Sequence, residues 1–488
     1  MWKKGESQMG DGVKGGKLKE TLRRYWGYQG FRYPQQEVIE SILGGKDCLV
    51  VMPTGGGKSL CFQLPAIIQE GLTIVVSPLL ALVENQISQL NQLGVPAGRI
   101  HNEMCKGERE YTLKRLANGQ LKLFYVSPET IFSKPVWGII TSCGTRISGL
   151  IVDEAHCLAQ WGENFRPSYF RLGTIRDALR GKYHYSPFPI ACFTATADGQ
   201  TQRVIIECLH LSSPQKFLVS PYRENIRIKI DTVWTARGRR NRLVKYLQKK
   251  GNDCGLIYVR TRGESENLAG FLTEMGYSCH GYHGGLSASR RREIEGDWLE
   301  EKVKFVVATS AFGMGINKAN IRWVFHYHFP LLLSEYMQEI GRGGRDGLPT
   351  EAVALRCESS GWLYPEDKQL RNYFLTRQYS LYQKTKEIIA RLSETGEVSK
   401  LDREGQLCLS ILYSSGQLKW LDPFHYQLTL KNPHSAIEGA RRKQEKQLER
   451  TVEYLNTKEC RWGFLLEEFG FLSSGKFRCG RCDNCLRK

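Results

Sequence analysis

The chain lacks a long apolar run. The longest, Leu72 to Val83, is broken by Ser77-Pro78 and is too short to span a bilayer, so no membrane role is expected. It also lacks a secretory leader pattern: Met1-Trp2-Lys3-Lys4-Gly5 is polar and no apolar core follows it. Acidic residues are scarce beside basic ones, 50 against 69, which leaves a formal charge of +19. That balance points to a polyanionic partner, and nucleic acid is the commonest one. A disulfide framework is missing too. Eleven of the fifteen cysteines are scattered through apolar segments, where Cys48, Cys61 and Cys192 read as small core residues. A reducing, cytoplasmic setting is expected, nucleoid-associated in a bacterium.

What is present is an alternation. The 488 residues suggest about three domains at roughly 150 residues each. Residues 1–16 are Gly- and Lys-rich and expected to be disordered. From Leu18 onward, short β-rich runs bounded by turn residues alternate with helical patterns. The clearest are Cys48–Met52, Thr73–Val76, Leu121–Val126, Gly149–Val152 and Pro189–Phe193. The rhythm restarts after Pro221 with Gly255–Val259, Val303–Ala308 and Trp323–Phe325. This predicts two tandem α/β domains with parallel sheets, over 17–217 and 218–358. A mostly helical region, 359–488, follows. Within it, 380–432 has the outline of a winged-helix unit: helices over Tyr379–Leu392 and Gly405–Tyr413, then two β-rich stretches split by Asp422-Pro423. A long charged helix, Ala436–Leu455, holds Glu445, Glu449 and Glu453 three or four residues from Arg or Lys and reads as a solvated, salt-laced helix.

Three motifs carry chemistry. Val50 to Ser59 reads as strand, glycine loop and helix. Thr54, Gly55, Gly56 and Gly57 let backbone N–H groups close on phosphate at a helix N-terminus. Lys58 would neutralise the β- and γ-phosphates of ATP and Ser59 would ligate Mg2+. Met52 stands where the strict pattern asks for Gly. Ile151 to His156 is a buried strand ending in two carboxylates: Asp153 suits magnesium and Glu154 suits polarising the attacking water. His156 would link this site to the second domain or to nucleic acid. Gln338 to Asp346 then supplies Arg342 and Arg345, three apart, for transition-state charge, with Arg345 the preferred finger.

Together these residues resemble superfamily 2 helicases, and among them the RecQ family, over about residues 20–356. The fold the resemblance implies is two RecA-like domains followed by a zinc-binding module. Gly27-Tyr28-Gln29-Gly30-Phe31-Arg32 is similar to the adenine-reading segment, with Gln35 on the base edge and Arg32 assisting. Ser77-Pro78-Leu79 to Gln86 and Tyr125 to Glu129 resemble DNA-backbone motifs. Thr194-Ala195-Thr196 and the run through Thr309 resemble the coupling segments of the two domains. Cys157 to Tyr169 is similar to the family's aromatic-rich loop that senses single-stranded DNA, and Gln160, Trp161, Phe165 and Arg166 would carry it by stacking and charge. The sequence departs from the family pattern at Glu163, Asn164, Asn85, His328 and Gly343. None is an ATPase residue; they bear on how hydrolysis couples to DNA.

Cys460 and the run Cys479-Gly480-Arg481-Cys482-Asp483-Asn484-Cys485 offer four thiolates, suited to tetrahedral zinc or to an iron–sulfur cluster by spacing alone. The resemblance implies Zn2+ in a structural site. In the family this module usually follows the motor closely and precedes a winged helix. Here about a hundred residues intervene and the winged-helix outline comes first, so a rearranged duplex-binding unit is expected, without the usual terminal accessory domain. The expected function is an ATP-dependent DNA helicase that moves 3′ to 5′ on single-stranded DNA and unwinds duplex DNA in repair and recombination. Single-strand-binding or repair proteins are candidate partners. An RNA helicase and a DNA-binding scaffold with a weak motor are the alternatives.

Overall fold

A computed structural model describes residues 11–487 apart from 79, 102–103, 143–145, 160–165, 313–317, 359–363, 431 and 473–476. The first sheet contains β1 (Cys48–Val51), β2 (Leu72–Val76), β3 (Ala97–Ile100), β4 (Leu123–Val126), β5 (Ile147–Val152), β6 (Ile190–Thr194) and β7 (Gln215–Leu218). Their order is β3-β4-β2-β5-β6-β1-β7, all parallel. β1, β2, β4 and β6 are buried along their whole length, which is why they read as continuous apolar runs rather than alternating ones. Helices cover both faces and divide the core into two layers.

The second sheet contains β8 (Ile226–Val233), β9 (Gly255–Tyr258), β10 (Cys279–Tyr282), β11 (Phe305–Ala308), β12 (Trp323–His326) and β13 (Thr350–Cys357). The order is β10-β11-β9-β12-β13-β8, again all parallel. The expected division at 217/218 falls inside β7. The first sheet ends at Leu218 and the second begins at Ile226.

Two further expectations are corrected. Residues 11–16, expected to be disordered, open the helix Asp11–Trp26. Its Leu18 and Leu22, one turn apart, are buried against Ile39, Leu60 and Leu64, and that anchor supports the polar turn before it. The winged outline begins earlier than residue 380, because its first helix runs from Glu366 to Arg391. Next come β14 (Thr395–Glu397), the helix Arg403–Ser414, β15 (Leu418–Trp420) and β16 (His425–Leu428), in an antiparallel sheet of order β14-β16-β15. The helix Pro433–Asn456 follows. Ion pairs Arg441–Glu445 and Arg442–Glu438 lace its outer face. It is not solvated all round: burial lowers the pKa of Lys443, which is drawn toward Asp198 of the first domain.

Candidate functional site

Ligands of parallel α/β sheets bind beyond the carboxyl ends of the strands. β5, β6 and β1 are neighbours in the first sheet. Adjacency therefore sets Asp153-Glu154, Thr194-Ala195-Thr196 and the glycine loop side by side, although they are far apart in sequence.

The loop leaves β1 at Met52 and enters the helix Lys58–Ile68 through Gly57, whose φ is 81°. A Cβ on Gly57 would sit 2.3 Å from Gln35 Nε2, so glycine is required by backbone and by space alike. Gln35 is buried; its Nε2 donates to the Gly56 carbonyl at 3.1 Å and its Oε1 accepts from the Arg32 amide at 2.9 Å. The expected adenine-reading pair is thus placed against the phosphate loop, where it fixes the loop's shape. Lys58 Nζ donates to the Met52 carbonyl at 3.1 Å, and Ser59 Oγ accepts from Gln86 at 3.1 Å.

Asp153 is buried beneath the loop. It accepts a 3.4 Å hydrogen bond from Ser77, the residue after β2, and Tyr169 Oη donates to the Asp153 carbonyl at 3.1 Å. Burial, and then the Glu154 charge beside it, push its carboxyl up to about 7. A buried carboxyl held by the Ser77 hydroxyl and the Glu154 amide, with a second carboxylate beside it, fits a divalent cation, which would add counter-charge. Burial also opposes ionisation of Glu154, but the hydrogen bond from His156 and the charges of His156, Lys58 and Arg342 outweigh it and hold Glu154 well below the usual range. Glu154 takes a left-handed φ of 50°, a conformation that costs a non-glycine residue about 1 kcal/mol or more.

His156 is the hub. Its Nδ1 lies 3.1 Å from Glu154 Oε2 and 3.1 Å from Thr194 Oγ1. Its Nε2 lies 3.1 Å from Gln338 Nε2, within hydrogen-bonding distance. Gln338 belongs to Leu333–Ile340, a helix of the second domain. Thr194 Oγ1 in turn donates to the Thr196 carbonyl at 3.0 Å. One chain of contacts therefore runs from Glu154 through His156 to the facing domain, with Thr194 of β6 as a branch.

The second domain contributes charge. Arg345 covers the loop: a Cβ built on Gly55 would lie 3.6 Å from its Cγ and Cδ. Burial, then the like charges of Arg342 and Arg223, push its guanidinium down to about 10. Arg342 is buried and hydrogen-bonded to Tyr258. Arg223, from the linker after β7, donates to the Gly344 carbonyl. Arg342 and Arg223 thus set like charge beside Arg345, an arrangement suited to an anion. Sequence reasoning gave Arg223 and Gln338 no role. Gln338 opens the arginine run and was legible by position; Arg223 lies in a linker and acquires its place only through the fold.

On the expected DNA side, Arg166 donates to Glu129 at 3.2 Å and to the Pro78 carbonyl at 3.0 Å, joining three of the resemblance segments. Thr196 is buried beside the cleft, and Thr309 follows β11, its amide donating to the Tyr282 carbonyl at 3.1 Å. Gln160, Trp161 and Phe165 lie outside the described residues, as do Glu163 and Asn164. His328 is buried between Glu264 and Glu366, at 3.6 and 3.4 Å.

The four tail cysteines converge, with all Sγ atoms within 4.8 Å of one another and Cys479 and Cys485 at 4.0 Å. Zinc at about 2.3 Å from each sulfur would space them roughly 3.8 Å apart. Backbone amides of Gly463 and Cys479 donate to Cys460 Sγ at 3.4 and 3.2 Å, and that of Arg461 to Cys482 Sγ at 3.4 Å, a donor set that favours thiolate. All four ligand positions are filled by protein, as in a structural site.

Family models match in the same three places: the DEAD/DEAH box helicase model over residues 32–204, the helicase conserved C-terminal domain over 238–347, and the RecQ zinc-binding model over 426–486. The ATP-dependent DNA helicase RecQ of Synechocystis is 45% identical across 96% of this chain and 98% of its own length. The ATP-dependent DNA helicase RecQ of Pasteurella multocida is 42% identical across 69% of this chain and 52% of its own. Among solved structures, the Mycobacterium smegmatis helicase Lhr shares the fold with a TM-score of 0.57 at 17% identity, covering 86% of this chain and 62% of that one. The phosphate loop, the acidic strand end, the arginine run and the four-cysteine tail thus occur together and in family order: this chain belongs to the RecQ family of ATP-dependent DNA helicases.

Proposed function

We propose that the chain is a DNA helicase whose ATP site is completed only when its two domains close on nucleotide and single-stranded DNA, and that it advances 3′ to 5′. The observation that carries this reading is the hydrogen-bonded path Glu154–His156–Gln338 across the cleft. Lys58 and the loop amides bind the phosphates, and Gly57 keeps the helix N-terminus open to them. Asp153 and Ser59 would hold magnesium, which when bound supplies charge neutralisation at the phosphates. Glu154, kept ionised, orients the attacking water and takes its proton. Arg345, with Arg342 behind it, meets the charge that develops on the transferred phosphoryl group.

His156 holds Glu154 and senses where Gln338 is, so hydrolysis and domain position are read by one side chain. Arg166 and the segment before it are placed to convert DNA binding into that position. The substrate is single-stranded and duplex DNA; a cytoplasmic chain acting on chromosomal DNA would work beside single-strand-binding and repair proteins. The test is unwinding of duplexes that carry a single-stranded tail on one side only. With ATP and magnesium, a 3′-tailed duplex should be separated and a 5′-tailed one should not. The reverse preference would overturn the direction, and separation of neither would overturn the motor reading.

A further inference from the structure

The region after the second sheet is shared between two hosts. In a winged unit that reads DNA, the second helix of the helix–turn–helix enters the groove. Here that helix, Arg403–Ser414, is packed on the turn Pro167–Arg171 of the first domain. Tyr413 meets Phe170 edge-on, and its hydroxyl lies 3.3 Å from His210 Nε2. The hairpin tip between β15 and β16 is docked as well. Arg171, itself buried, donates to the Pro423 carbonyl at 3.1 Å, and Phe424 sets its ring edge-on to Trp137 and Phe132 at 5.4 and 6.1 Å. These contacts continue the first domain's own apolar core.

The flanking helices end elsewhere. Glu366–Arg391 starts on the second domain, where Asp367 pairs with the buried Arg239 at 2.9 Å and accepts from the Cys357 amide. Pro433–Asn456 finishes there, with Thr451 donating to the Leu331 carbonyl at 2.8 Å and Tyr454 packed on Tyr336. The zinc cysteines belong to the second domain's core too, since Trp462 donates to the Ile226 carbonyl at 3.1 Å.

We propose that the winged unit is a strap between the motor domains and not the element that separates DNA strands. Its helix and hairpin are fixed to the first domain, its zinc end to the second, and the two long helices join them. The domains are thus tethered twice, once by residues 219–225 and once by this strap. A second tether raises the effective concentration of Arg345 at the phosphate loop without adding a contact at the site. Arg171 and Phe424 are then positioning residues for hydrolysis. This rests on the reading of the chain as a DNA-stimulated ATPase.

The experiment compares Phe424→Ser, Phe424→Leu and Leu421→Ser with the unaltered full chain. Leu421 neighbours the docked tip but is 58% exposed. With single-stranded DNA present, Phe424→Ser should lose about tenfold in kcat/KM for ATP hydrolysis, and unwinding should fall in proportion. Binding of a fluorescent ATP analogue to the DNA-free chain, which reads the first domain's loop, should be unchanged. Phe424→Leu, which retains apolar burial, should fall between, and it carries the comparison if Phe424→Ser does not fold. Leu421→Ser should match the unaltered chain. Loss of unwinding with hydrolysis intact, in any of the three, would make the hairpin a strand separator and overturn the strap; so would full hydrolysis and unwinding in both Phe424 variants. An unaltered chain that DNA does not stimulate would instead overturn the functional reading.

Discussion

The two motor domains have the same kind of sheet and opposite chemistry. The first places a lysine, a buried and a half-buried carboxylate and a glycine loop at its strand ends. The second places Arg342 and Arg345 against them, joined by Arg223 from the linker. On the proposed reading, the difference teaches that neither half is an active site by itself: the first would hold nucleotide and the second would supply charge to the transition state. His156 joins the two sides, touching Glu154 of the first domain and Gln338 of the second.

The comparison breaks most sharply at Lys58. Lys58→Ala removes the cation under the loop, and ATPase activity should fall by roughly a thousandfold while the melting temperature holds; normal turnover would remove the loop from the site. Arg345→Ala should lower kcat by about a hundredfold or more and leave ATP affinity within about threefold, because the arginine meets charge that develops only in the transition state. Equal losses in affinity and kcat would make it a ground-state ligand.

A third substitution sharpens the second domain's side. A Cβ on Gly343 would lie 2.5 Å from Thr350 Cγ2, so Gly343→Ala should destabilise that domain by about 1–3 kcal/mol. Thr350→Ser deletes the obstructing methyl and keeps the hydroxyl that donates to the Ile321 carbonyl at 3.0 Å, so the double variant should recover most of the loss. Additive losses on thermal melting would refute the packing account of this family departure. The smallest effect is expected at Gln338→Ala. Losing one cross-domain hydrogen bond of about 1 kcal/mol should cost about fivefold in DNA-stimulated turnover and little in the basal rate.

Contiguous features were legible in the sequence. The glycine loop, the acidic strand end and the cysteine run each occupy a few neighbouring residues, and buried parallel strands such as β1, β2, β4 and β6 announce themselves as apolar runs. β8 alternates burial, and β3 is interrupted by Gly98 and Arg99, so neither stood out. The inward face of Gln35, the contribution of Arg223 and the docking of Phe424 arise from residues brought together across long separations. No local period encodes them. The winged outline was readable from its helices and Asp422-Pro423, but its host was not, because the surface it packs on lies 252 residues earlier, at Arg171.

The central claim is that one ATP site is assembled across the cleft and switched by single-stranded DNA. The most direct measurement is steady-state ATP hydrolysis with and without single-stranded DNA, with single-stranded RNA of the same sequence as the control. The account predicts a low basal rate, a rise of at least tenfold with DNA and a much smaller one with RNA. A basal rate already at its maximum, or equal stimulation by RNA, would contradict it.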